Sequence, residues 1–130
     1  MDREEIINRV KKCVGEVLLI DDEEQIKPDT NLVDDLGAES IDFVEIIHSL
    51  SRIFGVRLNR NDIYPDRDFF TDRNFFTEDF RITSQGKEKL ADSWPHLDKE
   101  KVEEYQTLVG YFNTLSLLVD YFDYSLNNGG

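Results

Sequence analysis

Ser40 is the residue whose type and setting point most directly to chemistry. It stands in Asp35-Leu36-Gly37-Ala38-Glu39-Ser40-Ile41-Asp42, a polar loop that passes through a glycine to a serine flanked by carboxylates. From there Phe43, Ile46, Ile47, Leu50 and Phe54 recur at the spacing of one helical face. The hydroxyl is therefore expected at a helix N-terminus, where unpaired N–H groups and the positive end of the helix dipole favour a phosphate group. A serine on such a turn suits attachment of a group through a phosphodiester. Taken alone, it is equally an ordinary helix cap.

Other chemistry finds little support. The chain has two histidines, His48 and His96, and neither lies in a nucleophile motif, so a hydrolase using Ser40 would lack an evident base. His48 reads as a surface residue and His96, after Pro95, as a loop residue. No Cys/His spacing suggests zinc, no glycine-rich loop suggests a nucleotide, and Asp21 to Glu24 lacks the pattern of a calcium loop, so no metal is expected. The single cysteine, Cys13, excludes an internal disulfide and suits a reducing compartment. It falls among the apolar positions of the first helix and reads as core filler. A net charge of −13 disfavours nucleic acid and anionic membranes and leaves basic protein surfaces as the natural counterpart. The start of the chain lacks the pattern of a signal peptide, and no apolar run reaches the length of a membrane span. A cytoplasmic protein is expected.

The serine motif closely resembles that of the acyl carrier proteins, Asp-Leu-Gly-x-Asp-Ser-Leu-Asp, with Glu39 in place of aspartate and Ile41 in place of leucine. The resemblance extends upstream through Pro28, Asp29, Leu32 and Asp34, downstream to about Ile63, and returns faintly in Thr114 to Phe122. It implies an all-α, acyl-carrier-like four-helix bundle with 4′-phosphopantetheine attached covalently at Ser40. It also implies a carrier rather than an enzyme, with acyl groups held as thioesters on the arm, where the cofactor bears the chemistry. The implied partners are a phosphopantetheinyl transferase and acyl-transferring or condensing enzymes of the fatty-acid, lipid or polyketide type. They would meet a docking face of Asp35, Glu39, Ile41, Asp42, Val44, Glu45 and His48. Ser51-Arg52-Ile53 departs from the acidic pattern common in the family. A monomer is expected. The rival reading is an unmodified interaction module that keeps the fold without cargo, and an intact mass would separate the two.

The elements that must position Ser40 are legible on either side. Asp2 can cap a first helix whose apolar stripe is Ile6, Val10, Val14, Val17 and Leu18, ending near Leu19 or Ile20. A long polar connection follows, with Ile26, Leu32, Val33 and Leu36 as its expected anchors. A connection of this length without structure of its own is usually functional or disordered. The second helix should run from Ser40 to Phe54 and stop at Gly55.

Residues 1–130 are read as one acyl-carrier-like domain, with 65–110 an aromatic-rich, mostly helical insertion packed on the bundle. Two near-repeats open it, Asp66-Arg67-Asp68-Phe69-Phe70-Thr71 and Asp72-Arg73-Asn74-Phe75-Phe76-Thr77. Phe80 and Ile82, alternating with Arg81, suggest a short strand or extended segment. Ser84 is expected to cap a helix to Leu90 or Ala91, ended by Trp94-Pro95, and Asp98 one that Gly110 interrupts. The last helix should start at Asn113 or Thr114 with Leu115, Leu118, Val119, Phe122 and Leu126 inward, before a frayed tail from Asn127. Leu117, Tyr121 and Tyr124, off that stripe, would receive the insertion.

Overall fold

The apolar stripes read from the sequence meet in a helical bundle. A computed structural model describes residues 1–127, and among them there are seven α-helices and no β-strand. Helix α1 (Arg3–Leu18) is capped by the Asp2 carboxylate, which accepts from Glu5 N–H at 2.8 Å. Helix α2 (Ser40–Phe54) ends at Gly55 in the left-handed conformation. Helices α1 and α2 pack together, α1 also packs on α7 (Leu115–Asn127), and the single turn α3 (Arg60–Ile63) closes against α7. Ile6, Val10, Ile46, Leu50, Leu115 and Phe122 are fully or almost fully buried between them. Cys13 lies in the same core, where burial together with the carboxylates of Glu16 and Glu45 pushes its thiol up to about 11. Arg3 ties the start of α1 to α7 through Asp120 at 2.6 Å and Asp123 at 3.0 Å. No described helix is long and apolar enough to cross a membrane.

The near-repeats fold as the same turn made twice. Asp66 accepts from Asp68 N–H at 3.1 Å, and Asp72 accepts from Asn74 N–H at 2.8 Å. Each carboxylate satisfies a backbone donor two residues on, the usual service of aspartate in a turn. The first copy continues as α4 (Arg67–Thr71), while the second closes into a turn. Their phenylalanines stack together, Phe69 on Phe75 at 4.9 Å and Phe70 near Phe76 at 5.4 Å, with Trp94 edge-on to Phe69 at 5.6 Å. Such ring pairs contribute roughly 0.5–1.5 kcal/mol beyond the area they bury.

Three expectations for this region need correction. Phe76 and Ile82 form an isolated bridge rather than a strand, because Phe80 takes φ 61° and reverses the chain within a few residues. Thr83, not Ser84, caps α5 (Ser84–Ser93), accepting from Gly86 N–H at 2.9 Å, and the helix runs past Ala91. Asp98 caps only the short 3₁₀ turn Lys99–Lys101, while α6 (Tyr105–Phe112) starts separately and passes through Gly110 unbroken. His96 lies in a loop, as expected, and is buried there, donating from Nε2 to the Ile63 carbonyl at 2.5 Å with its ring edge-on to Tyr121 at 4.9 Å.

The segment from Pro65 to Gly110 is joined to the bundle by named contacts. Trp94 Nε1–H donates to the Asn61 carbonyl at 2.7 Å, and Phe70 lies edge-on to Phe112 at 5.8 Å. Tyr111 donates to Asp120 at 2.6 Å and accepts from Asp98 N–H at 3.1 Å. Burial and the Asp120 carboxylate drive its phenol well above the ordinary value. Leu117, placed off the core stripe by helical spacing, is 1% exposed. Asn127 still belongs to α7, and the remainder of the expected tail lies outside the described residues.

Two stability predictions follow from this packing. A Cβ on Gly86 would sit 2.4 Å from the Phe75 carbonyl oxygen, whereas one on Gly110 meets nothing within 4 Å. Gly86→Ala should cost about 1–3 kcal/mol as an overpacked contact, and Gly110→Ala should stabilise by up to ~1 kcal/mol as a helix substitution. Urea unfolding of both variants reads the difference in sign. Burial holds the His96 imidazole below its ordinary value of 6.5. The folded state therefore binds fewer protons there than the unfolded chain, so its contribution is complete above the ordinary value and is lost as pH falls below it. His96→Gln should flatten the stability slope that opens as pH falls below about 6.5 in urea titrations.

Candidate functional site

The loop from Pro28 to Glu39 is held by backbone bonds to the start of α7. Leu115 N–H donates to the Thr30 carbonyl at 3.2 Å and Ser116 N–H to the Pro28 carbonyl at 2.9 Å. These are orphan donors of a helix N-terminus, here satisfied by a loop up to 88 residues away in sequence. In return Leu32 N–H donates to the Asn113 carbonyl at 2.8 Å. Leu32 and Ile26 are fully buried, so two of the expected anchors hold. Leu36 is half-buried and Val33 is exposed, because the turn that Asn31 imposes directs Val33 outward.

Asn31 orders that turn. Its side-chain oxygen accepts from the N–H groups of Val33 at 3.0 Å and Asp34 at 2.8 Å, and its own N–H donates to Asp35 at 2.9 Å. The spacing Asn-x-x-x-Asp carried this signal in the sequence, since asparagine and aspartate habitually close turns on nearby backbone. Gly37, at φ 73°, then turns the chain in a conformation that favours glycine. Ala38 N–H returns to the Leu32 carbonyl at 2.8 Å, with Ala38 buried beneath the turn.

Ser40 follows as the first residue of α2, and Glu39 occupies the cap position. The reading of Ser40 as a possible cap is thus corrected. Glu39 N–H donates to the Asp42 carboxylate at 2.8 Å, so the reciprocal bond that frames the helix start comes from Asp42. Ser40 is exposed, and among the described residues its hydroxyl has no hydrogen-bond partner. The N–H groups of Asp42 and Phe43 donate to the Glu39 carbonyl, whereas those of Ser40 and Ile41 find no partner among the described residues. An accessible hydroxyl beside unpaired donors at the positive end of a helix fits an anionic phosphodiester.

The expected docking residues divide into two kinds. Ile41 is 71% exposed and Val44 is 59% exposed, and with Glu45 and His48 they share one outer face of α2. Asp35 and Asp42 border that face, but their carboxylates are engaged in holding the loop and the helix start. Glu39 lies exposed beside Ser40. The face is therefore acidic around two projecting aliphatic side chains. Such a surface attracts basic proteins at long range and offers short-range apolar contact.

Comparison with known proteins agrees with this geometry. The family model for the phosphopantetheine attachment site matches residues 8–72, half of the chain. An acyl carrier protein of Thermotoga maritima is 39% identical over 61 residues, covering 47% of this chain and 74% of that protein. No solved structure matches the chain. A helical bundle, a loop pinned to its last helix and a family match that takes in that loop and α2 lead to one conclusion: the chain belongs to the acyl carrier protein family, a carrier whose cofactor is covalent 4′-phosphopantetheine.

Proposed function

We propose that Ser40 bears the phosphopantetheine arm and that the protein presents acyl groups on it to enzymes of fatty-acid, lipid or polyketide type, in the cytoplasm. The observation that carries this reading is the exposed Ser40 hydroxyl, without a hydrogen-bond partner among the described residues, at the first position of α2 after the Gly37 turn. The arm, when attached, supplies a thiol that holds the acyl group. The protein's own residues orient and recognise. Asn31, Asp35 and Gly37 set the loop, the unpaired N–H groups of Ser40 and Ile41 face the phosphodiester, and the face of Ile41, Val44, Glu45 and His48 meets partner enzymes. Asp35, Glu39 and Asp42 extend the negative charge around that face.

Incubation with coenzyme A and a broad-specificity transferase should add one arm by intact mass, and Ser40→Ala should abolish it. Because the hydroxyl caps nothing, that substitution should change the unfolding free energy by less than ~0.5 kcal/mol. Labelling that persists in the variant would move the site elsewhere. Glu45 makes no bond among the described residues, so it reports docking without disturbing the loop. Glu45→Lys should slow arm transfer at low salt, and the difference from wild type should shrink as salt shortens the Debye length towards about 8 Å. Val44→Asp should slow it at every salt concentration. Unchanged transfer rates in both folded variants would remove this face from the interface.

A further inference from the structure

Where α3, the end of α5 and α7 meet, the chain leaves a cavity of about 550 Å³. Its size is that of a small-molecule site. Lys89 and Ser93 of α5 and Trp94 and His96 of the loop after it line one side. These residues lie beyond residue 72, where the family match ends. Val56, just past the end of α2, lines the cavity too, whereas Ser40 stands at the start of that helix. The 15 residues of α2 place roughly 22 Å of helix between them. The cavity is therefore separate from the serine and shares no residue with the outer face of α2.

His96 gives this cavity a fixed polar group. It is 8% exposed, and its Nε2 is bonded to the Ile63 carbonyl at 2.5 Å. A carbonyl can only accept, so Nε2 carries the ring hydrogen and Nδ1 is a bare acceptor. Burial, which holds the imidazole below its ordinary value, keeps the ring in that neutral form. Nδ1 has no hydrogen-bond partner among the described residues, yet no fully enclosed side-chain nitrogen or oxygen among them is left unsatisfied. Nδ1 therefore keeps an open side, and the cavity that His96 lines supplies it. The Ile63 bond and the edge-on Tyr121 ring at 4.9 Å hold the imidazole in place. An acceptor so fixed calls for a donor on the ligand.

The other groups narrow the ligand further. Lys89 brings donors only, and Asp62, which accepts from Asn59 N–H at 2.8 Å, brings acceptors only. Their charges cancel within the cavity although the whole chain carries −13, so the site suits a neutral ligand. Ser93, Tyr121, Tyr124 and Ser125 add hydroxyls that have no hydrogen-bond partner among the described residues and can each give or take a hydrogen. The half-buried Tyr124 ring touches no other described aromatic ring, and its negative face is open to polarised C–H groups. A hydroxyl is the neutral group that both donates and accepts. A ring that carries several hydroxyls, with C–H faces between them, answers Nδ1, Lys89 and the tyrosine together. We propose that this cavity binds a saccharide of one or two rings, with one hydroxyl donating to His96 Nδ1, another accepting from Lys89 and a ring face against Tyr124. The site does not rest on the reading of Ser40.

The test titrates the full chain with glucose, galactose, N-acetylglucosamine, maltose and chitobiose while amide resonances are followed. At least one sugar should give saturable shifts centred on residues 93–97 and 121–125, with a dissociation constant in the millimolar range. The same sugar should bind equally well to the chain with and without an arm. His96→Gln keeps a donor for the Ile63 carbonyl and removes the Nδ1 acceptor, so it should weaken that sugar several-fold. Tyr124→Ala removes the ring without breaking a hydrogen bond, and it should weaken the sugar likewise even if the histidine variant fails to fold. Saturation by none of the sugars, or unchanged affinity in the folded variants, would overturn the proposal. So would saturable shifts at these residues with free alanine or adenosine and with no sugar, which would assign the cavity to a zwitterion or a nucleoside. A sugar that binds only the chain lacking the arm would belong to the serine site and would equally overturn it.

Discussion

The exchange of backbone hydrogen bonds between the Pro28–Leu32 stretch and the start of α7 is the constraint on which the rest depends. A helix begins with N–H groups that it cannot satisfy, and a long connection carries carbonyls and N–H groups that cannot be left buried without partners. Here each supplies what the other lacks. Leu115 and Ser116 donate to the loop, and Leu32 donates to Asn113 at the end of α6. The loop that carries Ser40 is thereby fixed in register against the last helix, and the burial of Leu32 and Ile26 adds apolar area to the same junction.

The carboxylates around Ser40 illustrate how one residue type serves two ends. Asp35 and Asp42 point their charge at backbone N–H groups and so define the turn and the helix start. They remain part of a negative surface at the same time. Glu45 makes no hydrogen bond or ion pair among the described residues, and its charge is left to solvent. A charge near the N-terminus of a helix is also stabilised by the helix dipole, which lets acidity accumulate here at modest cost.

The aromatic segment is attached by a few polar pins and a broad apolar contact. Trp94 to Asn61, His96 to Ile63 and Tyr111 to Asp120 each place one donor on a specific acceptor of α3 or α7. The rings of Phe69, Phe70 and Phe76 supply area without demanding one register. The pins choose the register and the rings make it stable. Because the same segment reaches Asn113, its packing and the position of the serine loop are mechanically joined.

The amino-acid sequence by itself determined the local elements whose causes are local. The bounds of α2, the Asp2 cap of α1 and the Gly55 stop follow from apolar spacing, capping chemistry and the backbone needs of glycine, all within a few residues. The motif around Ser40 was legible for the same reason, and with it the family. What only the tertiary structure decided depends on partners distant in the chain. Val33 faces outward because Asn31 closes a turn, while His96 is buried because the Ile63 carbonyl, 33 residues earlier, accepts its proton. Gly110 passes within a helix because α6 packs as a unit, and Phe80 breaks a strand-like alternation because Thr77 captures the backbone behind it. Ser40 proved to be the first helical residue rather than the cap because Asp42 folds back onto Glu39. Periodicity names the face that a helix will bury, but which distant group will meet a given polar atom is settled only when the chain has closed.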